Sequence, residues 1–120
     1  DRPTVMAGVN VLVAPTQEEA EHLFTTSQLM AVRIRTGQPA PLDPPVADLA
    51  QALPEPLLAI AGRSRGRGRA VGDPAHVVAQ LERFVTTYDL DELIVTTYTH
   101  DPALRVRSME LLAQSWGLPA

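Results

Sequence analysis

Residues 4–14, TVMAGVNVLVA, are apolar on both of their alternating sides: Val5, Val9, Val11 and Val13 on one, Met6, Leu12 and Ala14 on the other. Successive strand side chains point to opposite faces, so a run of this kind is poorly suited to a strand with one wet face. It predicts a strand covered on both sides, as in a parallel sheet flanked by helices. Asn10 is the polar exception, and reads either as a satisfied core amide or as a polar group aimed into a cavity.

Beyond Pro15 the chain is patterned for a helix. Thr16 and Glu19 have the spacing of a capping box. Ala20, Leu23, Phe24, Ser27, Ala31 and Ile34 then recur at helical intervals, and Gly37 supplies a stop. Glu18, Glu19 and Glu21 near the start and Arg33 and Arg35 near the end complement the helix dipole.

A second strand is predicted over residues 91–98, where Leu93, Ile94 and Val95 lead into Thr96, Thr97 and Tyr98. His100-Asp101-Pro102 breaks it, with Asp101 suited to an N-cap and Pro102 to the first helical position. Leu104, Leu111 and Leu112 mark one face of the helix beyond, and Gly117 closes it. Asp73 and Pro74 open another helix in the same way, with Val77, Val78, Leu81, Phe84, Val85 and Tyr88 as its stripe.

Between the first helix and that stripe the chain changes character. Six of the eleven prolines fall within residues 38–56, which predict an irregular connection with one helical turn near residues 46–53. A connection this long is usually a lid, a binding loop or a linker. The run LLAIAG at residues 57–62 is too short to assign. Arg63, Arg65, Arg67 and Arg69 alternate with small residues and read as a solvated loop or as a wrap around an anion. The order is strand, helix, long loop, helix, strand, helix: βα units within a single α/β segment spanning residues 1–120, with an insertion at about 38–70.

Composition excludes several classes. A net charge of −4 argues against a dedicated nucleic-acid binder. The absence of cysteine removes disulfide and thiolate chemistry. No apolar run approaches the roughly 20 residues needed to span a bilayer, so a cytoplasmic protein without membrane or nucleic-acid partners is expected. No metal site is expected, and no glycine-rich phosphate fingerprint, HExxH or nucleophile elbow occurs. His22 and His76 fall at surface positions of helices. His100 and Asp101, in the loop after the second strand, are the candidates for proton transfer or ligand binding, or else a turn residue and a helix cap.

Four blocks in order, VMAGVNVLVAPTQEEAEHLF, RIRTGQPAPLDPPV, AVGDPAHVVAQLERF and LDELIVTTYTHDPALRVRSMELLA, resemble the C-terminal end of bacterial luciferase-like flavin-dependent monooxygenases. The resemblance implies the last βα units of a (β/α)8 barrel, with residues 4–14 as strand seven and residues 91–98 as strand eight. The barrel would be incomplete in this chain. It further implies FMN or a related flavin as cofactor and a small organic substrate, with Thr97, Tyr98 and Thr99 at the barrel mouth. Most flavin contacts would lie in the missing strands, so tight binding of flavin by this chain alone is not expected. Two other readings stand beside it: a non-catalytic module holding an anion on Arg63, Arg65, Arg67 and Arg69, and a fragment that self-associates as a homo-oligomer through open sheet edges.

Overall fold

In the computed structural model, which describes residues 4–38, 40–63 and 68–116, the doubly apolar run forms β1 (Met6–Val13), the middle strand of a three-stranded parallel sheet. On one side the C-terminal half of β1 pairs with β2 (Arg69–Gly72), Asn10 opposite Arg69 and Val13 opposite Gly72. On the other side its N-terminal half pairs with β3 (Glu92–Thr96), Met6 opposite Glu92 and Asn10 opposite Thr96. Asn10 is therefore the one residue of β1 with a strand partner on both sides.

Among the described residues the helices are α1 (Gln17–Arg35), α2 (Leu49–Ala52), α3 (Glu55–Arg63), α4 (Pro74–Tyr88) and α5 (Pro102–Trp116). The starts of α1, α4 and α5 obey the sequence signals. Thr16 Oγ1 accepts the Glu19 N–H at 3.2 Å, Asp73 Oδ1 accepts the His76 N–H at 2.8 Å, and Asp101 Oδ1 accepts the Ala103 N–H at 2.9 Å.

The two faces of β1 serve two cores. Val9, Val11 and Val13 are buried against Val77 and Leu81 of α4, with Leu111 and Leu112 of α5 at the margin. Leu12 and Ala14 face the opposite way and pack with Ala20, Leu23 and Phe24 of α1 and Val71 of β2. Each such valine or leucine contributes about 1.5–3 kcal/mol by leaving water. The expectation of cover on both faces holds at the C-terminal end of β1.

Two expectations are corrected, and one run too short to assign from sequence takes its place. Residues 69–72 are a strand rather than the tail of an arginine loop and the start of a helix. Four residues are too few to show a period, and pairing fixes them: the Asn10 and Ala14 N–H groups donate to the Gly68 and Gly72 carbonyls at 2.7 and 3.2 Å. Residues 57–62 belong to helix α3, which begins at Glu55 and carries Pro56 in its first turn, where a missing N–H costs little. Ile34 does not join the buried stripe of α1; it is 65% exposed. Gly117 lies outside the described residues. No helix among the described residues is long and apolar enough to cross a membrane.

One contact ties α5 to the sheet. The Asn10 and Ala14 N–H groups point toward β2, so by strand alternation the Val13 N–H points to the β3 side. There β3 has already ended, at Thr96. The fully buried Ser108 of α5 replaces the missing strand acceptor, its Oγ taking the Val13 N–H at 2.8 Å.

Candidate functional site

The sheet leaves one surface open. Along β3 and beyond it, exposure alternates without a break: Glu92, Ile94, Thr96, Tyr98 and His100 are exposed, while Leu93 and Val95 are half-buried and Thr97 and Thr99 buried. Strand register puts Met6, Gly8 and Asn10 of β1 on the same face as Ile94 and Thr96. Met6 is 54% exposed and Ile94 50% exposed. This is an apolar strip with polar residues at its C-terminal end, and α1 covers the sheet from Leu12 onward.

Gly8 sits in the middle of the strip. A side chain there would meet only the Ile94 carbonyl oxygen, at 4.0 Å, so the glycine leaves bare, roomy backbone between Met6 and Ile94. At the end of the strip stands Asn10. Its Nδ2 donates a long hydrogen bond of 3.4 Å to Ser27 Oγ on α1. Its Oδ1 is buried with no hydrogen-bond partner among the described residues. A satisfied core amide would engage both ends, and an unmet buried acceptor costs about 1–3 kcal/mol.

The mouth residues divide in two. Thr97 turns inward, its hydroxyl 3.5 Å from Met109 Sδ, and Thr99 donates to the Asp101 carbonyl at 2.6 Å. Tyr98, 37% exposed, and His100 face outward and remain available to a ligand. Asp101 Oδ1 is engaged with the first turn of α5. Among the described residues no hydrogen bond joins His100 to Asp101. The carboxylate that His100 influences belongs instead to Asp43.

Asp43 lies in the proline-rich connection, and that connection is strapped onto α1. Arg33 grips Asp43 with two hydrogen bonds, Nε to Oδ2 at 2.7 Å and Nη2 to Oδ1 at 2.8 Å. Thr26 Oγ1 donates to the Asp43 carbonyl at 2.8 Å, Thr25 Oγ1 accepts the Val46 N–H at 3.0 Å, and Gln28 Nε2 donates to the Ala61 carbonyl at 3.4 Å. Together with the Asn10–Ser27 contact, these bonds explain why Thr25, Thr26, Ser27 and Gln28, four consecutive polar residues, are all buried. The guanidinium hydrogen bonds of Arg33 hold the Asp43 carboxyl below its ordinary value against the opposing effect of burial, and His100 acts in the same direction as Arg33. The described part of the connection is thus a strap across α1.

Of the arginine series, Arg69 is the first residue of β2, its guanidinium 4.3 Å above the Phe24 ring. Arg63 ends α3, and Arg65 and Arg67 lie outside the described residues. No group of three or more His, Asp or Glu side chains able to hold a metal occurs among the described residues. The sequence pointed to the mouth through His100 and Tyr98; it did not point to Met6, Gly8, Ile94 and Thr96. The signal available for them was the two-residue alternation of residues 92–100, hidden because Ile94 is as apolar as its covered neighbours.

No protein-family model matches the chain. Over 116 residues it is 36% identical to the uncharacterized protein YvbT of Bacillus subtilis, covering 97% of this chain and 34% of YvbT. Over 111 residues it is 30% identical to a luciferase-like monooxygenase of Escherichia coli, covering 92% of this chain and 33% of that protein. Its fold matches the crystal structure of apo-MsnO8 with a TM-score of 0.77 at 33% identity, over 98% of this chain and 36% of the other. The chain therefore spans about a third of the length of the relatives it matches.

Proposed function

We propose that this chain forms the closing βα units of a luciferase-like, flavin-dependent monooxygenase, and that the open face of β1 and β3 is part of the wall of its flavin and substrate cavity. The observation that carries the reading is the asymmetry of the sheet. One face of β1 is sealed by α4 and α5; the other is covered by α1 from Leu12 onward and left bare over Met6, Gly8 and Ile94, a surface that further strands of a barrel would enclose. The adjacent, parallel β1 and β3 take the places of strands seven and eight. The similarity to a luciferase-like monooxygenase over 92% of the chain supports the same reading.

The residues present suit a flavin in one respect: Met6, Gly8 and Ile94 form a bare apolar strip on which a flat ring could lie. A bound reduced flavin would supply the activation of oxygen, and the small organic substrate would be oxygenated beside it. What this chain contributes is orientation and shelter. Met6 and Ile94 exclude water from one wall, and Tyr98 and His100 present a hydroxyl and an imidazole at the rim.

Two measurements test this. In the first, the chain replaces the matched third of the Escherichia coli luciferase-like monooxygenase. The chimera is expected to keep the parent's flavin affinity within about tenfold, or about 1.4 kcal/mol. A folded chimera that has lost flavin binding altogether would contradict the reading. In the second, FMN fluorescence is followed during titration of the chain alone, and no saturation is expected in the low-micromolar range. Saturation there, equivalent to about −8 kcal/mol, would show that the chain carries a complete site.

A further inference from the structure

Strand β2 has β1 on one side and no strand on the other among the described residues. The Gly68 and Gly72 carbonyls face β1, so the backbone of Val71, one residue out of phase, points to the outer edge. Two glutamines close that edge. Gln17 of α1 donates from Nε2 to the Val71 carbonyl at 3.3 Å and accepts the Asp73 N–H on Oε1 at 3.4 Å. Gln80 of α4 accepts the Val71 N–H on Oε1 at 3.1 Å. Side-chain amides take the place of a neighbouring strand, and the missing side chain of Gly72 leaves them room to close.

The two amides differ in what steadies them. Gln17 Nε2 also reaches the Glu21 carboxylate at 3.4 Å, whereas Gln80 Nε2 lies 3.1 Å from His76 Nε2, one turn earlier on α4. With Gln80 Oε1 committed to Val71, its Nε2 can only donate. His76 Nε2 is then the accepting nitrogen, and the ring proton sits on Nδ1. A doubly protonated imidazole has no acceptor and sets a donor against a donor. Turning Gln80 Oε1 toward the charged ring relieves that clash and takes the oxygen from Val71. We propose that His76 and Gln80 form a pH-sensitive latch on the outer edge of β2, closed while His76 is neutral and released when its ring takes up a second proton.

Released, β2 is held by β1 and Gln17 alone, and the turn into α4 loosens. Val71 is 3% exposed, so its freed N–H has little access to water. Among the described residues no ion pair reaches the His76 ring. Asp73 Oδ1 is engaged with the His76 backbone N–H at 2.8 Å, and Glu21 lies across Gln17 on α1. Arg69 of β2 stands over the Phe24 ring, and the cleft beyond Asp73 holds Glu82 of α4 and Ser115 of α5. The latch stands whatever the open face of the sheet binds.

It is read by NMR on the 120-residue chain. At about pH 8 the neutral His76 ring is expected as the Nδ1–H tautomer, seen in its long-range proton–nitrogen correlations. Between about pH 8 and about pH 5, the interval in which imidazoles charge, the protection factor of the Val71 amide is expected to fall at least about threefold. That of the Val13 amide, held by Ser108 on the β3 side, should not follow. His76→Ala should abolish the pH dependence at Val71. Gln80→Glu should remove the fall, because a carboxylate accepts from the Val71 N–H and from a charged imidazole at once. A neutral His76 ring carrying its proton on Nε2 would overturn the latch. So would Val71 protection that is equal at both pH values, that falls only in step with Val13, or that falls as before in either variant.

Discussion

Single residues decide more here than their types suggest. Ser108 sits among helix residues with no marked pattern, yet its Oγ holds the Val13 N–H where β3 has run out. Ser108→Ala is expected to leave that buried donor unmet and to lower stability by about 1–3 kcal/mol, read from urea denaturation. A loss under about 0.5 kcal/mol would mean that the amide finds another acceptor. Asp43 makes a pH-dependent contribution. Its pKa is lowered in the folded state, first by the hydrogen bonds from Arg33, so its stabilising effect is fully present above the ordinary carboxylate value near 4 and is lost as pH falls through the lowered folded value. Thermal melts from neutral to strongly acidic pH should therefore show a steeper acid loss for the wild type than for Asp43→Asn. Equal slopes would mean that the carboxylate is no better placed folded than unfolded. Neither residue was legible as a contact in the sequence, because both partners are set by tertiary placement: Ser108 and Val13 are far apart in the chain, and Asp43 looked like one acid in a proline-rich loop.

Elements with local chemistry of their own were legible, and those fixed by pairing were not. Thr16, Asp73 and Asp101 announce α1, α4 and α5 because a cap is a bond between near neighbours. β2 carries no such signal: Arg-Ala-Val-Gly becomes a strand only because β1 offers Asn10 and Ala14 N–H groups along that edge. Its last residue is constrained accordingly. Gly72 has φ +154°, and a side chain there would overlap Gln17 Oε1 and crowd His76 Cδ2 at 3.0 Å. Gln17 also donates to the Val71 carbonyl at 3.3 Å, so the overlap falls on a side chain already in use between α1 and β2. Gly72→Ala is expected to cost about 1–3 kcal/mol and to release the β2–α4 turn, visible as faster amide exchange at Asp73. The strap makes a parallel case: its prolines read as an irregular connection, but Thr25 and Arg33 hold it. The Val46 amide should be protected from hydrogen exchange, and Thr25→Val should remove that protection.

For the molecule as a whole, the sequence showed that there was too much apolar strand for the cover available, though not where the excess would lie. It lies in two places. The open face shows Met6 and Ile94, and the outer side of β3 has no strand partner among the described residues. Beside β3 runs a groove of about 650 Å³ lined by Leu90, Leu93, Leu112 and Trp116. Val106, Met109 and Trp116 of α5 are also exposed. Covering several such side chains at about 1.5–3 kcal/mol each is comparable to the entire stability of a small domain, about 5–15 kcal/mol. In a protein three times as long, further strands and helices could lie here; in the isolated chain a second copy is the simplest cover. A twofold axis through the outer edge would set β3 antiparallel to its mate and bring the two grooves together. Sedimentation equilibrium at micromolar concentration is therefore expected to show a dimer. Trp116→Glu, which puts a charge at the groove without touching either buried core, should shift it toward monomer while far-ultraviolet circular dichroism stays unchanged. A cooperatively melting wild-type monomer would show instead that three strands and five helices are stable with that surface in water.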